Sequence, residues 1–436
     1  MSPGYFSGLR PDIVSPVHER RTNWAGNVAF SANGFHRPWS LSELQRLVAR
    51  SSRVRALGAG HSFNRLADTP GDLVTLAGLP PAIDLDAGRA TATVSAGLRY
   101  GDLARALHQS GRALRNLGSL AHISVAGSCA TGTHGSGDAN GCLATAVTAL
   151  EMVTADGDLV TVSRDGDPER FPGMVVALGA LGIVTRVTLE TVPAFDVRQY
   201  VYEDLPLAQV TEHFGDITGA AYSVSLFTGW RGPLTWQAWL KYRADEPGAP
   251  RPEWMGGQLA GGARHPVAGL SAESCTQQLG VPGPWHERLP HFRLEFTPSV
   301  GDELQSEYLV PRGRALEALA ALQPLADRLA VVVQVSEIRT VAADDLWLSM
   351  ADERDSVAIH FTWISDWAAV APVLAEVERA IAPMQARPHW GKLFGTDPDV
   401  LAGLYPRLDD FRQLLHEYDP AGKFRNDLLE HVLLLR

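Results

Sequence analysis

The alternation of apolar and polar positions divides the chain into three stretches. The first third reads as short strands mixed with helices, the middle is irregular, and strand–helix alternation returns after residue 300. Ser40-Leu-Ser-Glu43 fits a capping box, with Leu44, Leu47 and Val48 following at helical spacing. A strand is predicted over 53–57, running into Gly58-Ala-Gly60, and others over 73–76 and 91–95, with Asp86 to Gly88 as a turn. A helix is expected over 100–109, stopped at Gly111. Strands 147–154 and 159–162 flank Ala155-Asp-Gly157, a hairpin signal because Asp-Gly tolerates positive φ. A strand over 183–192 closes at Pro193, and residues 244–290 read as long loops. Beyond them come a helix over 315–330 broken at Pro324, strands over 331–340 and 357–363, a helix over 366–381 containing Pro372, and a strand from Pro388 through Lys392.

Composition adds bounds. The chain has 436 residues, and 38 Lys+Arg against 49 Asp+Glu give −11, which disfavours a nucleic-acid partner. This length predicts two or three domains, with boundaries placed at 1–195, 196–400 and 401–436, the last packing back on the first. Cys129, Cys142 and Cys275 form no disulfide framework. Arg20 and Arg21 precede no apolar stretch, so no secretory signal is read, and Phe171 to Thr185 is interrupted by three glycines and is too short to span a bilayer. A soluble cytoplasmic protein with no membrane partner is expected.

Two glycine-rich segments carry candidate chemistry. In the segment from His122 to Gly137, Gly127, Gly132, Gly135 and Gly137 alternate with Ser124, Ser128, Thr131, Thr133 and Ser136. Backbone N–H groups there could approach a pyrophosphate closely, and no Lys or Arg occurs from Ser119 to Gly141, so amide dipoles would hold it; the alternative is a glycine-rich surface turn. Gly58-Ala-Gly-His-Ser-Phe-Asn64 is a second turn after a strand; it lacks the third glycine of a Rossmann fingerprint, and no Walker lysine occurs. In the last third, Glu337 and Arg339 share a strand face beside Val335, and His360 and Thr362 repeat the spacing. With Lys392 they form either a pocket or solvent-facing positions with a surface ion pair. His286-Glu-Arg-Leu-Pro-His291 imitates a zinc motif with its histidines five apart and Pro290 between them, and His122 and His134 lack ligand spacing, so no metal site is read.

Taken together, Gly58 to Asn64, Ser119-Leu-Ala-His-Ile-Ser-Val-Ala-Gly127, Ala130-Thr-Gly-Thr-His-Gly135, Glu337-Ile-Arg339, His389-Trp-Gly-Lys392 and Asp419-Pro-Ala-Gly-Lys-Phe424 resemble the vanillyl-alcohol-oxidase-type flavoproteins, within them the bacterial alditol (xylitol or sorbitol) oxidases beside the sugar-lactone oxidases. The resemblance implies an α+β fold: an FAD-binding domain of the vanillyl-alcohol-oxidase (PCMH) type plus a substrate-binding cap with a mostly antiparallel sheet covered by helices. It implies FAD bonded through its 8α-methyl to His61. It also places Gly58, Ala59, Gly60, Ser62, Ser119, Ser124, Gly127, Ser128, Cys129, Ala130, Gly132, His134 and His389 at the cofactor, with Ile183 at the adenine end. Ser119, Glu337, Arg339, Thr362 and Lys392 would face a polyol, and Arg339, Lys392 and Glu337 would act in catalysis, Arg339 and Lys392 polarising the hydroxyl and stabilising anionic reduced flavin while the terminal carbinol carbon passes hydride to flavin N5. The proton would pass to a histidine (His360 or His389), to water or to the flavin. Gly118, the small residue before Ser119, favours an oxidase using molecular oxygen. A sugar-1,4-lactone oxidase or dehydrogenase shares these motifs, and a polyol-binding or flavin-storage protein is the non-catalytic alternative. A monomer is expected.

Overall fold

The computed structural model describes residues 22–232, 236–246, 250–295 and 303–433; Arg20 and Arg21 lie outside them. Two sheets build the N-terminal part. Strands Gly34–His36, Asp72–Val74 and Val54–Ala56 pair in parallel in that order. Ile83–Asp86, Thr91–Ser95, Ile183–Glu190, Val147–Val153 and Leu159–Ser163 form an antiparallel sheet. Local chemistry accounts for their edges. Helix Leu41–Arg50 starts where Ser40 accepts the Glu43 N–H at 3.3 Å, while the Glu43 carboxylate accepts from Trp39, one residue earlier than a reciprocal capping box requires. Gly157, at φ +88°, turns the hairpin and Gly111, at φ +70°, follows helix Tyr100–Gln109. Beyond Glu190 the chain forms a two-residue strand, Val192–Pro193, pairing with Arg112–Ala113.

The cap is one ten-stranded antiparallel sheet. Its order is Glu253–Trp254, Gly257–Leu259, Asp196–Leu205, Trp236–Arg243, Ser223–Thr228, Val333–Val341, Ser356–Ile364, Glu303–Pro311 and Arg387–Pro388, with Gly283–Pro284 pairing beside Asp196–Leu205. The stretch predicted as loops thus contributes three short strands. One sheet face carries Leu226, Leu240, Tyr308, Ile338, Ile359 and Phe361 into a core with helices Ala315–Leu322, Ala326–Val332 and Trp367–Ile381. The 3-10 turn Gln323–Leu325 places Pro324 where the helix breaks, and Asp366 caps the last helix through the Ala369 N–H.

The opposite sheet face meets the N-terminal part. The N-terminal core takes in Leu408, Phe411, Leu414, Leu415 and Leu429 from the end of the chain, and Leu346 to Met350 from within the cap's sequence range. Asp419 accepts the Lys423 and Phe424 N–H groups, and buried Arg55 donates to the Phe424 and Leu178 carbonyls, so 419–424 ties three segments together. No helix among the described residues is long and apolar enough to cross a membrane.

Candidate active site

A cavity of about 610 Å³ lies between the glycine segments and the inner face of the cap sheet, a size typical of ligand pockets. Gly58, Ala59, Gly60, His61, Ser62, Gly118, Ser119, Ser124, Gly127, Ser128, Ala130 and His134 line it on one side. Glu337, Arg339, His360, Thr362, His389 and Lys392 line it on the other. Three residues expected at the cofactor are off this wall. Cys129 lies on the inward side of helix Val125–Ala130, buried 3.5 Å from the Tyr100 hydroxyl. A Cβ on Gly132 would meet Met350 and Val176, so that position faces the core. The Ile183 side chain packs with Leu44, Leu47, Val48 and Phe424, and its neighbours Gly182 and Val184 reach the cavity instead.

The glycines serve close approach. A Cβ on Gly58 would stand 2.3 Å from Ser124 Oγ, and one on Gly127 2.7 Å from the same atom, so two backbone segments close over one hydroxyl. His61 stacks on Trp24 with centroids 4.7 Å apart and adjoins His122 at 4.6 Å. The following residues bind the cap. Phe63 N–H donates to the Gly391 carbonyl at 2.8 Å, and Asn64 donates to the Trp390 and Lys392 carbonyls, both at 2.8 Å. Lys392 therefore lies in a turn after Arg387–Pro388 and not on the predicted strand: these bonds pull 390–392 toward His61.

Strand register assembles the cap side. Val333–Val341 pairs with Ser356–Ile364 so that Glu337 faces His360 and Val335 faces Thr362, and Glu307 adds to the row from the far side of His360. The solvent-facing alternative does not hold, since Glu337 and Arg339 are each 5% exposed and Glu307 is 1% exposed. Arg339 donates to Glu307 Oε1 at 2.5 Å and Lys392 to Glu307 Oε2 at 2.7 Å, while Arg339 Nη1 reaches Ser119 Oγ at 3.3 Å. Arg339 Nε has no hydrogen-bond acceptor among the described residues; it lies 3.6 Å from Glu337 Oε1. Burial alone would raise the Glu307 carboxyl, but Lys392 and Arg339 outweigh it and hold it well below the usual range. Glu337 is lowered in the same sense, burial being overcome by Arg339 and His291. Burial depresses the Lys392 ammonium, with Glu307 opposing.

His360 and His389 are neutral in this network. Lys392 Nζ lies 2.8 Å from His360 Nδ1, which leaves His360 Nε2–H to donate to Thr362 Oγ1 at 3.1 Å. Burial, then Lys392, pulls the His360 pKa down to about 3. His389 accepts the Gly391 N–H at Nδ1, 3.1 Å away, and burial holds its pKa well below normal. Neither ring presents a free Nδ1 lone pair to take a proton. The two halves of the zinc look-alike part company: His286 packs 4.9 Å from His108, whereas His291 Nε2 meets Glu337 Oε1 at 2.8 Å.

Sequence reasoning missed Glu307, His291 as a site residue, and Lys241. Glu303, Gln305 and Glu307 alternate along Glu303–Pro311, a polar period of two that marks a face without naming its partners.

The wall fits FAD in kind: a cation-poor glycine and serine surface for a pyrophosphate, leading to an aromatic and cationic end for a flat ring. Residues 33–163 match the family described as FAD binding domain, and 302–432 the one described as D-arabinono-1,4-lactone oxidase. An alditol oxidase of Streptomyces sp. is 52% identical over 415 residues, 94% of this chain and 98% of its own. The chain belongs to the vanillyl-alcohol-oxidase-type FAD oxidoreductases. Within this family, an L-gulono-1,4-lactone dehydrogenase of Mycobacterium tuberculosis is 30% identical over 443 residues, 96% of this chain and 100% of its own. A solvent-stable cholesterol oxidase shares the fold, with TM-score 0.75 at 17% identity over 94% of this chain and 97% of that one. The α+β architecture expected from the motifs is the one observed, and the protein is an FAD-dependent oxidoreductase.

Proposed function

We propose that this flavoenzyme is an alditol oxidase, converting the terminal primary alcohol of a polyol such as xylitol or sorbitol to an aldose. The observation that carries this reading is the convergence of Arg339, Lys392, Glu337 and Thr362 on one cavity with His61. Arg339 and Lys392, held by Glu307, hydrogen-bond the reacting hydroxyl and stabilise negative charge developing on its oxygen. Glu337 accepts from a neighbouring hydroxyl. Thr362, its oxygen occupied by the His360 N–H, donates to the next one. His61 would hold FAD covalently, and FAD when bound would supply the two-electron redox chemistry by which a primary alcohol and O2 give an aldehyde and hydrogen peroxide.

The test is an absorbance spectrum before and after anaerobic xylitol. Bleaching of the oxidised flavin band, followed by peroxide release on admitting air, is expected; an unchanged spectrum refutes polyol oxidation. The match of residues 302–432 to the lactone-oxidase family supplies the competing substrate. Parallel steady-state assays with xylitol, sorbitol and L-gulono-1,4-lactone give higher kcat/KM for the alditols if the reading is right.

A further inference from the structure

Behind Glu337 lies a buried amine that the reaction scheme above does not use. Lys241 sits on Trp236–Arg243 with 1% exposure, paired across the sheet with Gln199 on one side and Ser223 on the other. Its Nζ donates to the Leu289 carbonyl, lies 3.3 Å from the Pro290 carbonyl, and lies 3.2 Å from His291 Nδ1. Burial pulls its pKa down to about 7, with Glu337 opposing. In the ammonium form it has three N–H groups and no lone pair, so these three acceptors use it completely and His291 accepts at Nδ1. The remaining proton of a neutral imidazole is then on Nε2, 2.8 Å from Glu337 Oε1. The ring cannot turn away easily. It is wedged edge-on between Phe227 and Trp239, at centroid distances of 5.4 and 5.3 Å, and the backbone N–H of His291 donates to the Ser119 carbonyl at 3.1 Å.

We infer that Lys241 is a positioning residue for substrate binding. By donating to His291 Nδ1 it selects the Nε2–H tautomer, which holds Glu337 Oε1 and leaves Oε2 for a polyol hydroxyl. Oε2 has no donor among the described residues, and Glu337 lines the cavity. Without the ammonium, His291 can place its proton on Nδ1 against the vacated Pro290 or Leu289 carbonyl. Its Nε2 lone pair would then face a carboxylate oxygen, a repulsion relieved only by moving Glu337 or protonating it. The arrangement repeats across the cavity, where Lys392 donates to His360 Nδ1 and the Nε2–H holds Thr362. Two lysine–histidine pairs thus set the polarity of two substrate-facing groups.

The inference rests on the polyol reading, and its test separates the two. Xylitol kinetics are measured for the wild type, Lys241→Met, Glu337→Gln and the double variant, with flavin content and melting temperature alongside. Lys241→Met should raise KM for xylitol about tenfold or more, the share of one hydrogen bond to a charged group, with a smaller change in kcat. In the Glu337→Gln background the same substitution should add little, because the group it serves is gone. Wild-type KM in Lys241→Met, or an equal loss in both backgrounds, overturns the inference. Should Lys241→Met fail to fold, His291→Gln and His291→Leu decide it. Gln offers an N–H to Glu337 and an oxygen to Lys241, so it should retain most of kcat/KM where Leu loses it; equal losses overturn the inference. A wild type that does not oxidise xylitol refutes the polyol reading itself.

Discussion

Replacing Glu307 with glutamine tests the centre of the site. The carboxylate is 1% exposed and takes a hydrogen bond from Arg339 at 2.5 Å and one from Lys392 at 2.7 Å. Hydrogen bonds to charged groups each contribute about 1.5–3 kcal/mol, and removing one member of a buried ion pair costs about 3–5 kcal/mol because the partner charge is stranded. Glu307→Gln strands two cations, with Glu337 no nearer to Arg339 than 3.6 Å. A loss of about 3–5 kcal/mol at pH 7 is expected. The pH dependence gives the mechanism a signature. The folded pKa of Glu307 is held below its ordinary 4.5, so its stabilising share is complete above about pH 4.5 and is lost as pH falls toward the depressed folded value. Urea unfolding at pH 7 and at pH 4 should therefore show the gap between wild type and variant narrowing on the acid side. Xylitol kcat/KM should fall about 100-fold, since both donors lose their aim. Stability within about 1 kcal/mol of wild type at pH 7 would refute the argument that one carboxylate organises both cations.

Lys392→Met should retain yellow flavin but lose about 100- to 1,000-fold in xylitol kcat/KM, read by peroxide release. His61→Ala should release its flavin into the supernatant on acid precipitation, where the wild-type flavin stays with the pellet. In Gly118→Ala the new methyl would sit 3.7 Å from Ile123 and Thr133, an ordinary contact, so melting is unchanged; reoxidation by oxygen after anaerobic xylitol reduction should slow.

What the chain disclosed locally it disclosed well. The Asp-Gly hairpin, the Pro324 break and the shared face of Glu337 and Arg339 each follow from neighbours in sequence. What it concealed depends on distant pairing. Glu307 is 32 residues from Arg339 and 85 from Lys392, and only the strand order Val333–Val341, Ser356–Ile364, Glu303–Pro311 puts them together. Lys241, between Leu240 and Tyr242, imitates a solvent-facing strand position until Leu289, Pro290 and His291 are found to cover it. Lys392 was misread as strand because the force that bends 390–392 comes from Phe63 and Asn64, more than 300 residues earlier.

The charges in the cap cluster are paired at close range, and the pairing has a chemical use. Arg339 and Lys392 pair with Glu307, while burial pulls Lys241 down to about 7, His291 to about 4 and His360 to about 3, leaving both histidines neutral at pH 7. These groups are buried, so Coulomb interactions among them are weakly screened. Each carboxylate raises the proton affinity of a cation beside it and so opposes the burial that pulls both lysines down. A hydroxyl entering this field is easier to polarise than one in solvent, and the gain grows as negative charge develops on its oxygen. Ser119 and Thr362, neutral residues on the same cavity, contribute direction without spending charge.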